Sequence, residues 1–74
     1  MLRTESNMGH SAVAAFLFHL GVGVWPFFEA ARAMGQALEQ GVNEPDAEFR
    51  VRGGVVRVVM LTAQPDLYRL EMWD

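Results

Sequence analysis

Residues 49–61, FRVRGGVVRVVML, decide the fold. Phe49 and Val51 alternate with Arg50 and Arg52, the period of two expected of a strand with one buried face. Gly53-Gly54 then supplies a two-residue hairpin turn. A second strand follows as VVRVVMLT (55–62), and Gln64-Pro65-Asp66 turns the chain into a third, LYRLEMWD (67–74). The expectation is a three-stranded antiparallel β-meander over residues 48–73.

A turn at Gly53-Gly54 sets Val51 opposite Val56, Arg50 opposite Arg57 and Phe49 opposite Val58. A three-residue second turn sets Met60 opposite Leu70, Val58 opposite Met72 and Thr62 opposite Tyr68. One face then carries Phe49, Val51, Val56, Val58, Met60, Tyr68, Leu70 and Met72, and has to be covered. The other carries Glu48, Arg50, Arg52, Val55, Arg57, Val59, Leu61, Leu67, Arg69, Glu71 and Trp73.

Upstream the period becomes helical. In PFFEAARAMGQALEQ (26–40), Phe27, Ala30, Ala31, Met34 and Leu38 take one side, and Glu29, Arg32, Gln36, Glu39 and Gln40 the other. Gly41 reads as a C-terminal cap, and VNEPDA (42–47) as a loop with Pro45 and Asp46 as turn residues. The run SAVAAFLFHL (11–20) is almost wholly apolar, with Ser11 placed to cap it and Gly21 and Gly23 interrupting it. A helix apolar on all sides demands cover from a core, another chain or a bilayer. Pro26 biases Trp25 toward extended geometry and opens the next helix. Two helices, 11–20 and 26–40, are expected; a single helix kinked at Pro26 is the alternative. Residues 1–10, MLRTESNMGH, read as a loose lead-in. The whole, 1–74, is one α+β domain with helices first and meander second.

A chain of 74 residues buries only about 60% of its unfolded surface, and domains of this size commonly need a staple. Cysteine is absent, which removes disulfides and thiolate metal sites. His10 and His19 cannot close a zinc site by themselves, so no metal and no cofactor are expected. Self-association remains, and a 51% hydrophobic composition has enough apolar surface for a core and a homodimer interface. The net charge of −3 argues against nucleic-acid binding by the chain as a whole. Every basic residue is arginine, and lysine and isoleucine, both with AT-rich codons, are missing; a GC-rich source genome follows.

Chemistry has few places to reside. His19 lies within an apolar run and reads as a satisfied core histidine. His10 beside Ser11 lacks a third group to orient it. Gly21-Val22-Gly23 has neither the preceding strand nor the third glycine of a dinucleotide loop. No catalytic set emerges, and the chain reads as a non-enzyme. Ser11 to Phe28 reaches the lower length for a membrane span, but His19, two glycines and Pro26 interrupt it. Neither a span nor a signal peptide is expected, since Glu5 also weakens a basic leader. The expected compartment is the cytoplasm, with a small membrane-associated protein as the far alternative.

The sheet face with four arginines is the leading contact surface. Arg50 opposite Arg57 would be a repulsive pair that invites an anionic partner. Arg52, Arg69 and Trp73 join them, arginine and tryptophan being enriched in binding hot spots. The alternative is a solvated face in which Glu48 and Glu71 neutralise the arginines and Arg57 lies on Trp73. A second candidate surface is acidic: Glu29, Glu39, Glu44 and Asp46.

Two helices followed by FRVRGGVVRVVML and LYRLEMW resemble the carboxyl half of RelE/ParE-type toxins, ribosome-directed RNases or gyrase poisons. In that family a strand with an arginine near Val56-Arg57 leads into such a meander. The resemblance implies RNA contacts by Arg50, Arg52, Arg57 and Arg69. The family's first strand has no clear counterpart in residues 1–8, and the chain ends at Trp73-Asp74 without the basic or histidine residue often found there. In overall make-up, a small acidic cysteine-free α+β chain is similar to the inhibitors that phages and mobile elements direct at host defences, of anti-CRISPR type. That likeness implies steric occlusion of a protein or ribonucleoprotein complex, without sequence-specific nucleic-acid binding.

Overall fold

The computed structural model describes residues 1–74. Its elements run β1 (Leu2–Gly9), α1 (His10–His19), α2 (Val24–Glu39), β2 (Asp46–Val51), β3 (Gly54–Met60) and β4 (Leu67–Trp73). The sheet is antiparallel with strand order β1-β4-β3-β2. The α+β class and the two helices are as expected. The sheet has four strands rather than three, because the supposed lead-in is an edge strand paired along β4.

β1 carries no apolar alternation: Arg3 and Glu5 point to the helix side at the open end of the sheet, and Leu2 and Thr4 to the other. Charged side chains on an edge strand discourage pairing with further chains. Between Glu5 and Met8 the register slips by one residue against Leu70 and Tyr68, with Asn7 at φ +62°. Asparagine tolerates this left-handed geometry better than most residues. The inserted residue rephases the strand, so that Met8 packs against the core.

α1 starts at His10 rather than Ser11, with Gly9 as the cap residue straight out of β1. It ends as Gly21 (φ +89°) turns the chain, the amides of Gly21 and Val22 donating to the carbonyls of Phe18 and Leu17. α2 ends the same way at Gly41 (φ +92°), whose amide and that of Val42 donate to Leu38 and Ala37. The start of α2 corrects the reading of Pro26: Val24 and Trp25 are already helical. The first amides of a helix have no intrahelical acceptor, so proline in the first turn breaks no bond. Leu20 to Gly23 separate the helices, which excludes the single kinked helix.

Both hairpins are paired two residues away from the expected register: the first turn lies one residue upstream, and the second connection, from Leu61 to Asp66, is longer than the expected three residues. Arg52-Gly53 occupies the first turn, with Val51 opposite Gly54 and Phe49 opposite Val56. Gly53 supplies the positive φ (+84°), whereas Gly54 lies where any Cβ would overlap the Trp73 carbonyl oxygen. In the second hairpin Met60 faces Tyr68, Val58 faces Leu70 and Val56 faces Met72. Thr62 leaves the ladder, and its hydroxyl accepts from the Glu44 amide. Each register moves by two residues, which preserves the parity of every side chain.

The covered face is therefore the expected one. Val56, Val58, Met60, Tyr68 and Leu70 form the core with Val13, Ala14, Leu17, Phe27 and Met34; Phe49, Val51 and Met72 pack at its margin. α1 lies over β1 and β4, and α2 over β2 and β3. No helix is long and apolar enough to cross a membrane.

Candidate partner-binding surfaces

The uncovered sheet face is organised in rows that cross the strands. At the hairpin end, Arg50 of β2, Val55 of β3, Trp73 of β4 and Leu2 of β1 stand side by side. The next row is Glu48, Arg57, Glu71 and Thr4, and beyond it come Asp46, Val59 and Arg69. Arg50 thus faces Val55, not Arg57, and the repulsive arginine pair does not exist. Arg57 stands between Glu48 and Glu71 because the turn uses Arg52 and Gly53.

Arg57 donates from Nε to Asp46 and from Nη1 to Glu71 (2.9 Å). Arg69 donates from Nε to the other Glu71 oxygen (3.2 Å) and from Nη2 to Glu44 (3.4 Å). Glu71 is the bridge, with its side chain only 13% exposed. Its carboxyl is held below the ordinary glutamate range, first by the hydrogen bond from Arg57, with burial opposing and Arg69 assisting. Arg57 is shifted upward, chiefly by its hydrogen bond to Asp46 and then by that to Glu71. Val59, between Asp46 and Arg69 on this same face, is buried although it lies outside the main core. Two arginines and three carboxylates therefore brace the sheet and shelter a valine.

This arrangement divides the expected contact set. Arg57 and Arg69 are satisfied within the chain, and the guanidinium of Arg57 turns to acids rather than to Trp73. Arg50 and Arg52 have no acidic partner within 4 Å. They share the hairpin end with Trp73 (47% exposed) and Leu2 (45% exposed). Leu2 was not foreseen, since finding it requires β1 to be a strand.

The acidic set does not form one surface. Glu44 and Asp46 belong to the arginine network on the sheet side. Glu29 accepts from the Trp25 indole (2.9 Å), and Glu39 lies ten residues further along α2, about 15 Å away at helical rise.

Both histidines differ from expectation. His19 is exposed in the last turn of α1, not in the core. His10 has an orienting group after all: its Nδ1 lies 3.2 Å from the hydroxyl of buried Tyr68, and its ring stacks on Phe28 (centroids 5.5 Å, planes 4° apart). Burial, and then the charge of Asp66, push the Tyr68 hydroxyl above its usual range. No nearby sequence signal marks this pair, 58 residues apart in the chain.

Two hollows lie on the helix side. One, about 340 Å³, is floored by Met8, Phe16, Leu70 and Met72 and rimmed by Arg3 and Glu5, which pair with each other at 3.5 Å. The other, about 210 Å³, is lined by Trp25, Phe28, Glu29 and Arg32. α1, α2 and the turn between them also expose Phe18, Leu20 and Val24, Leu20 lining a further hollow with Arg52, Val55 and Trp73 at the hairpin end. The apolar-all-round composition of α1 was the signal for this patch, for the core claims only Val13, Ala14 and Leu17 of that helix. No protein-family model, curated protein or solved structure matches the chain.

Proposed function

We propose that the chain is a non-enzymatic protein-binding module that occludes a surface of a larger target through the hairpin end of its sheet. The observation that carries this reading is the part-exposed apolar row Val55–Trp73–Leu2 with Arg50 at its end and Arg52 in the adjoining turn, two arginines without acidic partners. A tryptophan flanked by aliphatic side chains makes an anchor for an apolar depression, and free guanidinium groups select a rim of carboxylates. Arg57 and Arg69 have a structural part in this reading, and only Arg50, Arg52 and Trp73 of the expected contact set touch the partner. The concrete target class is a host defence complex of CRISPR type; it rests on the size, acidity and make-up of the chain.

The test is an affinity capture from a GC-rich bacterial host, treated with nuclease and read by mass spectrometry. Recovery of one discrete defence ribonucleoprotein supports the inhibitor reading and identifies the target. Recovery of ribosomes or gyrase overturns it in favour of the toxin resemblance, to which β1 contributes a strand ahead of the helices. Recovery of the bait alone ends the inhibitor reading.

A further inference from the structure

We infer that the α1–α2 corner is a self-association surface that docks a second copy of this chain across a two-fold axis. It adjoins the target-binding end of the sheet, where Leu20 lines a hollow with Arg52, Val55 and Trp73, but its aromatic side chains lie outside that hollow. Only 12 of 74 residues are buried, a small core that leaves much apolar surface outside. Phe18 (63% exposed) and Trp25 (68% exposed) stand in the helical turns either side of the Leu20–Gly23 connection, and Leu20, Val24 and Phe28 are exposed as well. Ala15, one turn before Phe18, is also exposed and lets another backbone approach α1 closely.

Area and charge both favour a second copy as occupant. Taking 150–250 Å² for an aromatic side chain, the exposed portions of these residues amount to about 500 Å² of apolar surface per copy. Two such patches face to face remove about 1,000 Å² from water, the lower bound of a specific interface. The patch is also self-complementary in charge. Glu29 and Arg32 line the same hollow as Trp25 and Phe28, one of each sign. In a two-fold arrangement each residue meets its counterpart's neighbour, so Glu29 of one copy faces Arg32 of the other while Trp25 enters the opposite hollow.

Sedimentation velocity and light scattering on the full chain test this. The expected result is a monomer–dimer equilibrium with a dissociation constant of about 1–100 μM, as suits an interface at the lower size limit. Phe18→Glu and Trp25→Ala, both at exposed positions, each weaken the dimer at least about tenfold with unchanged far-ultraviolet circular dichroism. Glu29→Arg weakens it, and adding Arg32→Glu restores it, whereas Trp73→Ala leaves it intact. A wild-type chain still monomeric at about 1 mM, or a dimer indifferent to Phe18→Glu and Trp25→Ala, overturns the inference. So does a monomer that sediments with phosphatidylcholine vesicles and is released by Trp25→Ala, since the patch would then serve a lipid surface.

Discussion

Replacing Glu71 with glutamine removes the charge that ties Arg57 of β3 to Arg69 of β4. Protected hydrogen bonds to charged groups contribute about 1.5–3 kcal/mol each. Here the two guanidinium groups are about a third exposed and keep Asp46 and Glu44, and the amide of glutamine keeps one acceptor oxygen. Solvent screening reduces the expected loss to about 1 kcal/mol at neutral pH. For a domain of this length that lowers Tm by about 4–8 °C. The pH dependence has a definite sign. The folded carboxyl titrates below its unfolded value of about 4.3, so its contribution is complete above that value and disappears as pH falls through the folded one. Thermal melts of both proteins between pH 7 and pH 2.5 therefore converge in the acid range, and 1 M salt narrows the gap at neutral pH. A variant as stable as wild type at pH 7, or a gap that persists unchanged into acid, refutes the bracing role.

Three further substitutions probe the frame. Gly54→Ala pushes a methyl group into the Trp73 carbonyl and is expected to cost about 1–3 kcal/mol in urea denaturation, with Trp73 fluorescence altered. Gly41→Ala, at φ +92°, should cost about 1–2 kcal/mol, read as a lower Tm with the helix content retained. Phe27→Ala empties the centre of the core and should remove about 3–5 kcal/mol, enough to leave a small domain partly unfolded at 37 °C by circular dichroism.

The covered face of the sheet was legible because parity survives register error. Placing the first turn at Gly53-Gly54 mispaired every residue of β2 and β3 by two positions, yet Val56 and Val58 still pointed inward. The outer face depends on register itself, and there the error mattered. It invented an Arg50–Arg57 repulsion and concealed the Asp46–Arg57–Glu71 bridge. Gly54 misled because its glycine requirement comes from the backbone of β4, a contact invisible in the local sequence. β1 was illegible because LRTESNMG has the polarity of an edge strand and an inserted residue at Ser6-Asn7 destroys its alternation. The helices were read almost to their ends, since Gly21 and Gly41 stop them by local geometry. Pro26 misplaced the start of α2 because the bias it exerts on Trp25 yields when both residues sit in the first turn.

The most direct measurement of the central claim is a parallel capture with three baits: wild type, Trp73→Ala and Trp25→Ala. Both tryptophans are exposed, so the two variants retain the fold and differ only in which surface they impair. The account predicts that Trp73→Ala loses the target recovered by wild type, while Trp25→Ala keeps it and loses only self-association. Retention by Trp73→Ala together with loss by Trp25→Ala would contradict it and move target recognition to the helical corner.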